Sequence, residues 1–318
     1  MSLKARVASI MAQPIVPGPA TIMVLGIAGG AAGLAVTLVA DGRNPFKGTP
    51  EFSLWVALVA LQIALWAVLS LPIYRSLGQL FQRPRRFYAT GHLVAAAILF
   101  ALLVIAPFLL PFGQFPNCFK HGAETLCFSH QHGRVLIIVA LGDLLVAGPM
   151  MLGMSRIQSD AQAFRILTGT PAALPGDAVD DYLLLRAFNR RLLSVGGAAI
   201  GAATLSAGAL RTAIAAQTTS PPRAELVLIL GAYYSVLLAT AYIPAHAALL
   251  GAGKGLVEAM VPAPPPLDDP KGWSDKRTAL SELMKLESTS KEAVQLGLGL
   301  LAPLLGSIIA LVGFPTKS

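Results

Sequence analysis

Seven long apolar runs constrain this chain more than any other feature. They lie near residues 20–40, 52–73, 91–113, 135–154, 192–216, 225–250 and 292–313. Each is about 20 residues long, enough for a helix to cross roughly 30 Å of hydrocarbon. Hydrocarbon offers no water to an exposed N–H or C=O, so runs of this length must pair their backbones internally, as helices. The ten-residue alternation of an outer-membrane barrel is missing. Composition points the same way: 13% of residues are charged, about half the share in a soluble domain. The chain therefore reads as an all-α integral membrane protein. It forms one polytopic domain over residues 1–318, a bundle of about seven transmembrane helices.

The loops between the runs alternate in basic content. One set holds Lys4 and Arg6, then Arg75, Arg83, Arg85 and Arg86, then Arg156, Arg165, Arg186, Arg190 and Arg191, then Lys254, Lys271, Lys276, Arg277, Lys285 and Lys291. The other set holds only Arg43, Lys47, Lys120, Arg134, Arg211, Arg223 and Lys317. The positive-inside rule then places the N-terminus in the cytoplasm and the C-terminus outside, across an inner (plasma) membrane. That result requires an odd number of spans. The net charge of +8 is spread over these loops and not over one patch, so the expected partner is the lipid bilayer and not nucleic acid. Lys4 and Arg6 resemble the start of a signal peptide. Three prolines between Gln13 and Ala20 and the absence of a small-residue cleavage pattern argue for an uncleaved first span.

Both cysteines, Cys118 and Cys127, fall in one loop that this topology puts outside, where thiols oxidise. One disulfide is the expectation. The same loop holds His121, His130 and His132, and imidazole with thiolate is a zinc or copper ligand set. The two readings compete, because a disulfide consumes both thiolates. The plainer reading is a pinned polar loop with solvated histidines.

Asp143 is the one ionisable residue deep within a run. It follows Arg134 by nine residues, about 14 Å along a helix. A carboxylate at that depth costs several kcal/mol unless protonated, paired or hydrated. It reads either as a proton, cation or substrate contact, or as packing glue bonded to a neighbouring helix. Gln62, Tyr233, Tyr234 and Ser235 are polar residues expected at similar depth. His92 and His246 fall near span ends, and Pro244 could bend the helix beside His246 toward a cavity.

Small residues four apart recur at Gly26 and Gly30, Gly29 and Gly33, and Gly197 and Gly201, with Gly299, Ala302 and Gly306 around Pro303. They predict close helix approach inside the bundle, or a homo-oligomer through spans one and five. On the basic face, helical loops are expected over 155–191 and 251–291. Asp177 reads as the N-cap of a helix that runs from Ala178 through Arg190 and Arg191 into the fifth span. Gly251–Gly255 reads as a helix C-terminus. After the proline-rich stretch Pro262–Pro270, Leu280, Leu283 and Met284 suit a short interfacial helix. Thr289 and Glu292 have capping-box spacing. Arg83, Arg85, Arg86, Arg186, Arg190 and Arg191 form a candidate site for an anionic ligand or lipid headgroup, or serve orientation alone.

No catalytic motif is present. Gly251-Ala-Gly-Lys254-Gly255 lacks the spacing and the hydroxyl residue of a P-loop, and the seventh span has no lysine for a Schiff base. An enzyme is thus not the expectation. Three functions fit: a transporter or channel-like permease for a small solute or ion using Asp143 with Gln62, Tyr233, Tyr234 and His246; a metal- or redox-handling subunit or assembly factor using the outer loop; and a membrane scaffold or gated effector answering a cytoplasmic partner.

Overall fold

The computed structural model describes residues 18–40, 48–82, 98–103, 118–121, 124–127, 130–168, 177–218, 222–262, 270–286 and 290–313. They form helices α1 (Pro19–Ala40), α2 (Pro50–Gln82), α3 (His130–Thr168), α4 (Ala178–Ala215), α5 (Glu225–Met260), α6 (Pro270–Leu283) and α7 (Ser290–Gly313). A hairpin of β1 (Cys118–His121) and β2 (Glu124–Cys127) precedes α3. Residues 98–103 are helical and belong to the third apolar run; the rest of that run lies outside the described residues, as does His92.

Among the described residues, five helices are long and apolar enough to cross a membrane: α1, α2, α4, α5 and the Val135–Arg165 part of α3. The apolar part of α7, Leu296–Val312, is shorter. The outside of the bundle is apolar along helical stripes. On α5 the stripe is Ile229, Val236 and Ile243; on α7 it is Leu298, Leu301, Leu305, Ile308 and Val312. Water would make such surfaces costly, whereas lipid tails accept them, and the chain is a helical membrane bundle.

Side-chain contacts fix the directions. Trp66 meets Gly142, Leu77 meets Gly153 and the Phe81 ring lies under Arg156, so α2 and α3 run parallel. Leu192 meets Gly153 while Met150 meets Gly196, so α4 runs opposite to α3. Tyr182 beside Gly253 and Leu238 beside Gly196 set α5 antiparallel to α4. Because α2 and α3 are parallel, the chain between Gln82 and His130 must return from one end of the bundle to the other. One end therefore gathers Arg75, Arg156, Arg165, Arg186, Arg190, Arg191 and Lys254; the hairpin precedes α3 at the opposite end.

Small residues form the tightest seams. Gly29 and Gly33 face the α2 backbone at Ala64 and Ala60, where an added Cβ would come within 2.9 and 2.7 Å. On α4, Gly197, Gly201 and Gly208 face Gly299, Ala302 and Ala310 of α7. Gly29 and Gly33 of run one, and Gly197 and Gly201 of run five against the small residues of run seven, thus make close helix contacts within the chain. Pro303 interrupts the α7 ladder, and its carbonyl accepts from Thr204 Oγ1 at 2.9 Å and Ser307 Oγ at 3.0 Å.

Several boundaries differ from the sequence reading. The helices α2 to α5 contain 33, 39, 38 and 36 residues, well beyond the ~20 a bilayer needs. Much of the loop expected at 155–191 is helix continuing from the spans. The α4 helix does run unbroken from Ala178 through Arg191, with Asp180 and Asp181 in its first turn. Asp177 takes the N-cap position, but its side chain makes no capping bond. Gly251–Gly255 is not a helix end, for α5 continues to Met260. The glycine at 253 serves packing instead, since a Cβ there would strike Leu286 and come within 2.8 Å of the Tyr182 hydroxyl. Pro270 opens α6, where a missing N–H costs nothing. Thr289 of the expected capping box lies outside the described residues.

These seams make opposite predictions for two helical glycines. Gly197→Ala places a methyl 2.5 Å from the Gly299 carbonyl, a backbone atom that cannot rotate away, and overpacking costs about 1–3 kcal/mol. Gly251 has nothing within 4 Å of its Cβ position, so Gly251→Ala gains about 1 kcal/mol of helix propensity. Thermal unfolding in detergent should show the first variant melting below the parent and the second at or above it.

Candidate functional site

The deep carboxylate has partners. Asp143 sits near the middle of the apolar part of α3, where Trp66 Nε1–H donates to Oδ1 at 3.1 Å. Gln62 Nε2 donates to Oδ1 and Oδ2, both at 3.3 Å. Gln62 and Trp66 are one turn apart on α2, so i,i+4 spacing aims both at the same carboxylate. Gln62 is fully buried and Trp66 nearly so, while Asp143 is half-buried. The bonds are long for a charged acceptor, and no basic side chain among the described residues pairs with Asp143. Gln62 Oε1 is buried with no hydrogen-bond partner.

The glycine before Asp143 makes this contact possible. A methyl group at Gly142 would overlap the six-membered ring of Trp66. With hydrogen in that place, the six-membered ring packs against α3 and the indole N–H reaches the next residue. A buried tryptophan N–H needs a partner, and Asp143 provides it.

The Asp143 site divides the bundle core. Toward the hairpin end, Phe52, Trp55, Val56, Val59, Val135, Leu210 and Ile214 form one apolar cluster. Toward the basic end, a larger cluster begins with Trp66 and Val146 and includes Met150, Met154, Leu192 and Leu238. Between them lie Gln62 and Asp143. Tyr234 is buried and within electrostatic range of Asp143. Ser235 instead accepts the Leu304 N–H at 3.3 Å, and Tyr233 donates to the Leu103 carbonyl at 2.6 Å. Both serve helix contacts.

Other expected site residues lie elsewhere. His246 follows Tyr234 by twelve residues on α5, about 18 Å along the axis, and stacks on Tyr242 with ring centres 5.3 Å apart. Arg186 is buried and donates to the carbonyls of Met284 and Lys285. Arg190 and Arg191 are half-buried on the same helix. Arg83, Arg85 and Arg86 lie outside the described residues. The backbone register places Cys118 opposite Cys127, and His121 opposite Glu124. His130 and His132 lie in the first turn of α3. The side chains of these cysteines and histidines lie outside the described residues, so the zinc or copper reading acquires no geometry.

Around Asp143, sequence reasoning named Gln62 and Tyr234 as residues at similar depth and missed Trp66 and Gly142. The missed signal was local: a tryptophan one turn after Gln62, and a glycine immediately before the acid.

Gly142→Ala should push the Trp66 indole off α3. Tryptophan fluorescence, compared in a background where Trp55 and Trp273 are phenylalanine, should shift toward the emission seen with Asp143→Ala. Unchanged emission in Gly142→Ala would contradict the close packing described for this pair.

No family model matches the chain, and neither a curated protein nor a solved structure resembles it.

Proposed function

We propose that this protein is a multi-pass permease or channel for a small solute or ion, with Asp143 as the group that takes up and releases a proton or cation. The observation that carries this reading is the state of Asp143: a carboxylate between two apolar clusters, held by two neutral donors and with no basic partner among the described residues. Burying a charge this way is costly, and such residues in spans mark ion and proton pathways.

The partners suit a carboxyl group that changes state. Gln62 donates through Nε2 to a carboxylate. Rotated about its last torsion, the same amide offers Oε1 to a carboxylic acid O–H. Oε1 is the atom left without a partner, and it is also a hard oxygen ligand of the kind that alkali or divalent cations take. Neither change requires backbone motion.

The wider topology belongs to the same proposal. Alternating helix directions, a chain that must return between α2 and α3, and the concentration of basic residues at one end favour seven spans. The basic end then faces the cytoplasm, and the membrane is the plasma membrane. The hairpin lies outside, where the opposed Cys118 and Cys127 backbones suit one disulfide: directly opposed antiparallel residues have Cα atoms about 4.5–5.5 Å apart, within reach of an S–S bridge.

Flux in proteoliposomes tests the central role. Asp143→Asn should abolish movement of the transported species, with insertion and melting temperature retained, while Asp143→Glu keeps part of it. A proton-sensitive dye in the vesicle lumen, and then a panel of monovalent cations, identifies the coupled ion. Normal flux by Asp143→Asn would sink the assignment. For the hairpin, intact-mass measurement after alkylation without reductant should find neither thiol modified; two alkylated cysteines would exclude the bridge.

A further inference from the structure

The C-terminus of α6 is built to be held. Met284, Lys285 and Leu286 close the helix with bonds from Lys285 N to Glu282 O at 3.0 Å and from Leu286 N to Ser281 O at 3.0 Å. This is a Schellman closure, and it puts Lys285 at φ +50°, a position usually given to glycine. Met284 is fully buried. Leu286 packs where Gly253 leaves room on α5. Arg186 of α4, itself 9% exposed, donates one guanidinium nitrogen to both the Met284 and Lys285 carbonyls. The remainder of α6 contributes no buried residue. The helix is a strap fastened at one end.

A C-terminal cap explains Arg186 alone. It does not explain the residues on either side along the same face of α4. Tyr182, one turn before, is fully buried with its hydroxyl oxygen against the Arg186 guanidinium, which leaves its O–H to donate. Asn189, one turn after, is 1% exposed, and neither its carboxamide nitrogen nor its oxygen has a partner among the described residues. Positions 182, 186 and 189 form one stripe, about 6 and 4.5 Å apart along the axis. A buried polar group left unsatisfied is costly, because it has given up its water. An unsatisfied carboxamide one turn from a guanidinium, on the face that also carries the Tyr182 O–H, calls for an occupant.

The donors define its chemistry. Arg186, the Tyr182 hydroxyl and the Asn189 amide all offer hydrogens, and Arg190, Arg191 and Lys254 add positive charge nearby on α4 and α5. Asp180 and Asp181 lie at the outer margin of the same helix. A guanidinium gripping two oxygens is the arrangement that binds an oxyanion. We infer that Tyr182, Arg186 and Asn189 form a phosphate-type oxyanion site, in which the Met284 and Lys285 carbonyls stand in for two ligand oxygens. Binding of the oxyanion competes with α6 for Arg186 and releases the strap. The phosphate group comes from solution or from a lipid headgroup, which share this chemistry.

Hydrogen exchange on the full chain in lipid nanodiscs reads the strap directly, through the amides of 280–286. In nanodiscs of neutral phosphatidylcholine, inorganic phosphate at ten times its Kd should raise exchange there about tenfold, with chloride at equal ionic strength as control. In a second arm without free phosphate, phosphatidic acid replaces part of the lipid. Acceleration only in the first arm assigns the free anion, and only in the second the headgroup. Arg186→Gln should exchange fast with or without phosphate. Asn189→Leu and Tyr182→Phe should keep α6 docked and slow yet lose the response, which a purely structural cap would not produce. No acceleration of the parent chain in either arm, or an undiminished response in both Asn189→Leu and Tyr182→Phe, would overturn the site.

Discussion

Helices in a bilayer gain nothing from hiding apolar side chains from one another, because lipid tails are equally apolar. What holds this bundle is close backbone approach at small residues. Gly29 and Gly33 let α1 lie on the α2 backbone, and Gly197, Gly201 and Gly208 bring α4 against α7. Such seams fix register, since sliding either helix by one residue would replace a hydrogen with a side chain. Register in turn fixes chemistry. Gly142 seats Trp66, and that contact lets Trp66 and Gln62 meet Asp143 from one face of α2. A slip of one residue along α2 would rotate both donors by about 100° away from the carboxylate.

The same seams explain how the bundle tolerates proline. Pro303 deprives α7 of one ladder bond, and groups on neighbouring helices act around the break. Thr204 donates to the Pro303 carbonyl, and Ser235 accepts the N–H of Leu304. Gly231 allows α5 to approach this region, because a side chain there would fall on Ser307 and come within 2.7 Å of the Pro303 carbonyl. Small hydroxyl residues thus act as stitches between helices. This role accounts for Ser235 without involving it in the Asp143 site.

Apolar runs announced the membrane bundle and the deep acid, because each depends on a physical property that acts along the sequence. The extent of the helices was less legible. Hydropathy registers where lipid stops, whereas α2 to α5 continue past that limit as packed helix, and Arg156 and Arg186 are buried within the extensions. The helix from Ala178 through Arg191 was legible, but the continuation of α3 to Thr168 was not, and Gly251–Gly255 looked like an end, because tertiary contacts with Tyr182 and Leu286 carry no sequence signature. Gln62 was legible as the polar residue at the depth of Asp143. Trp66 was not, since an apolar side chain in an apolar run draws no notice until its one N–H must be satisfied.

The core between the two polar regions has a composition of its own. From Asp143 to the level of Arg156 is thirteen residues of α3, about 20 Å. That interval is filled by Met150, Met151 and Met154 with Leu192 and Leu238, all essentially inaccessible. Gly196 yields its side-chain space to Met150. Methionine is unbranched and rotates about three bonds, so a layer built from it changes shape at less cost than one built from β-branched residues. Pro149, at the start of the methionine run, removes a ladder bond from α3 at the same level. An apolar and deformable layer separating Asp143 from Asn189 and Arg186 is a consequence of these residues together. In the permease we propose, passage of a proton or ion between the two polar regions would require this layer to open, and its flexible side chains and weakened helix are concentrated at that level.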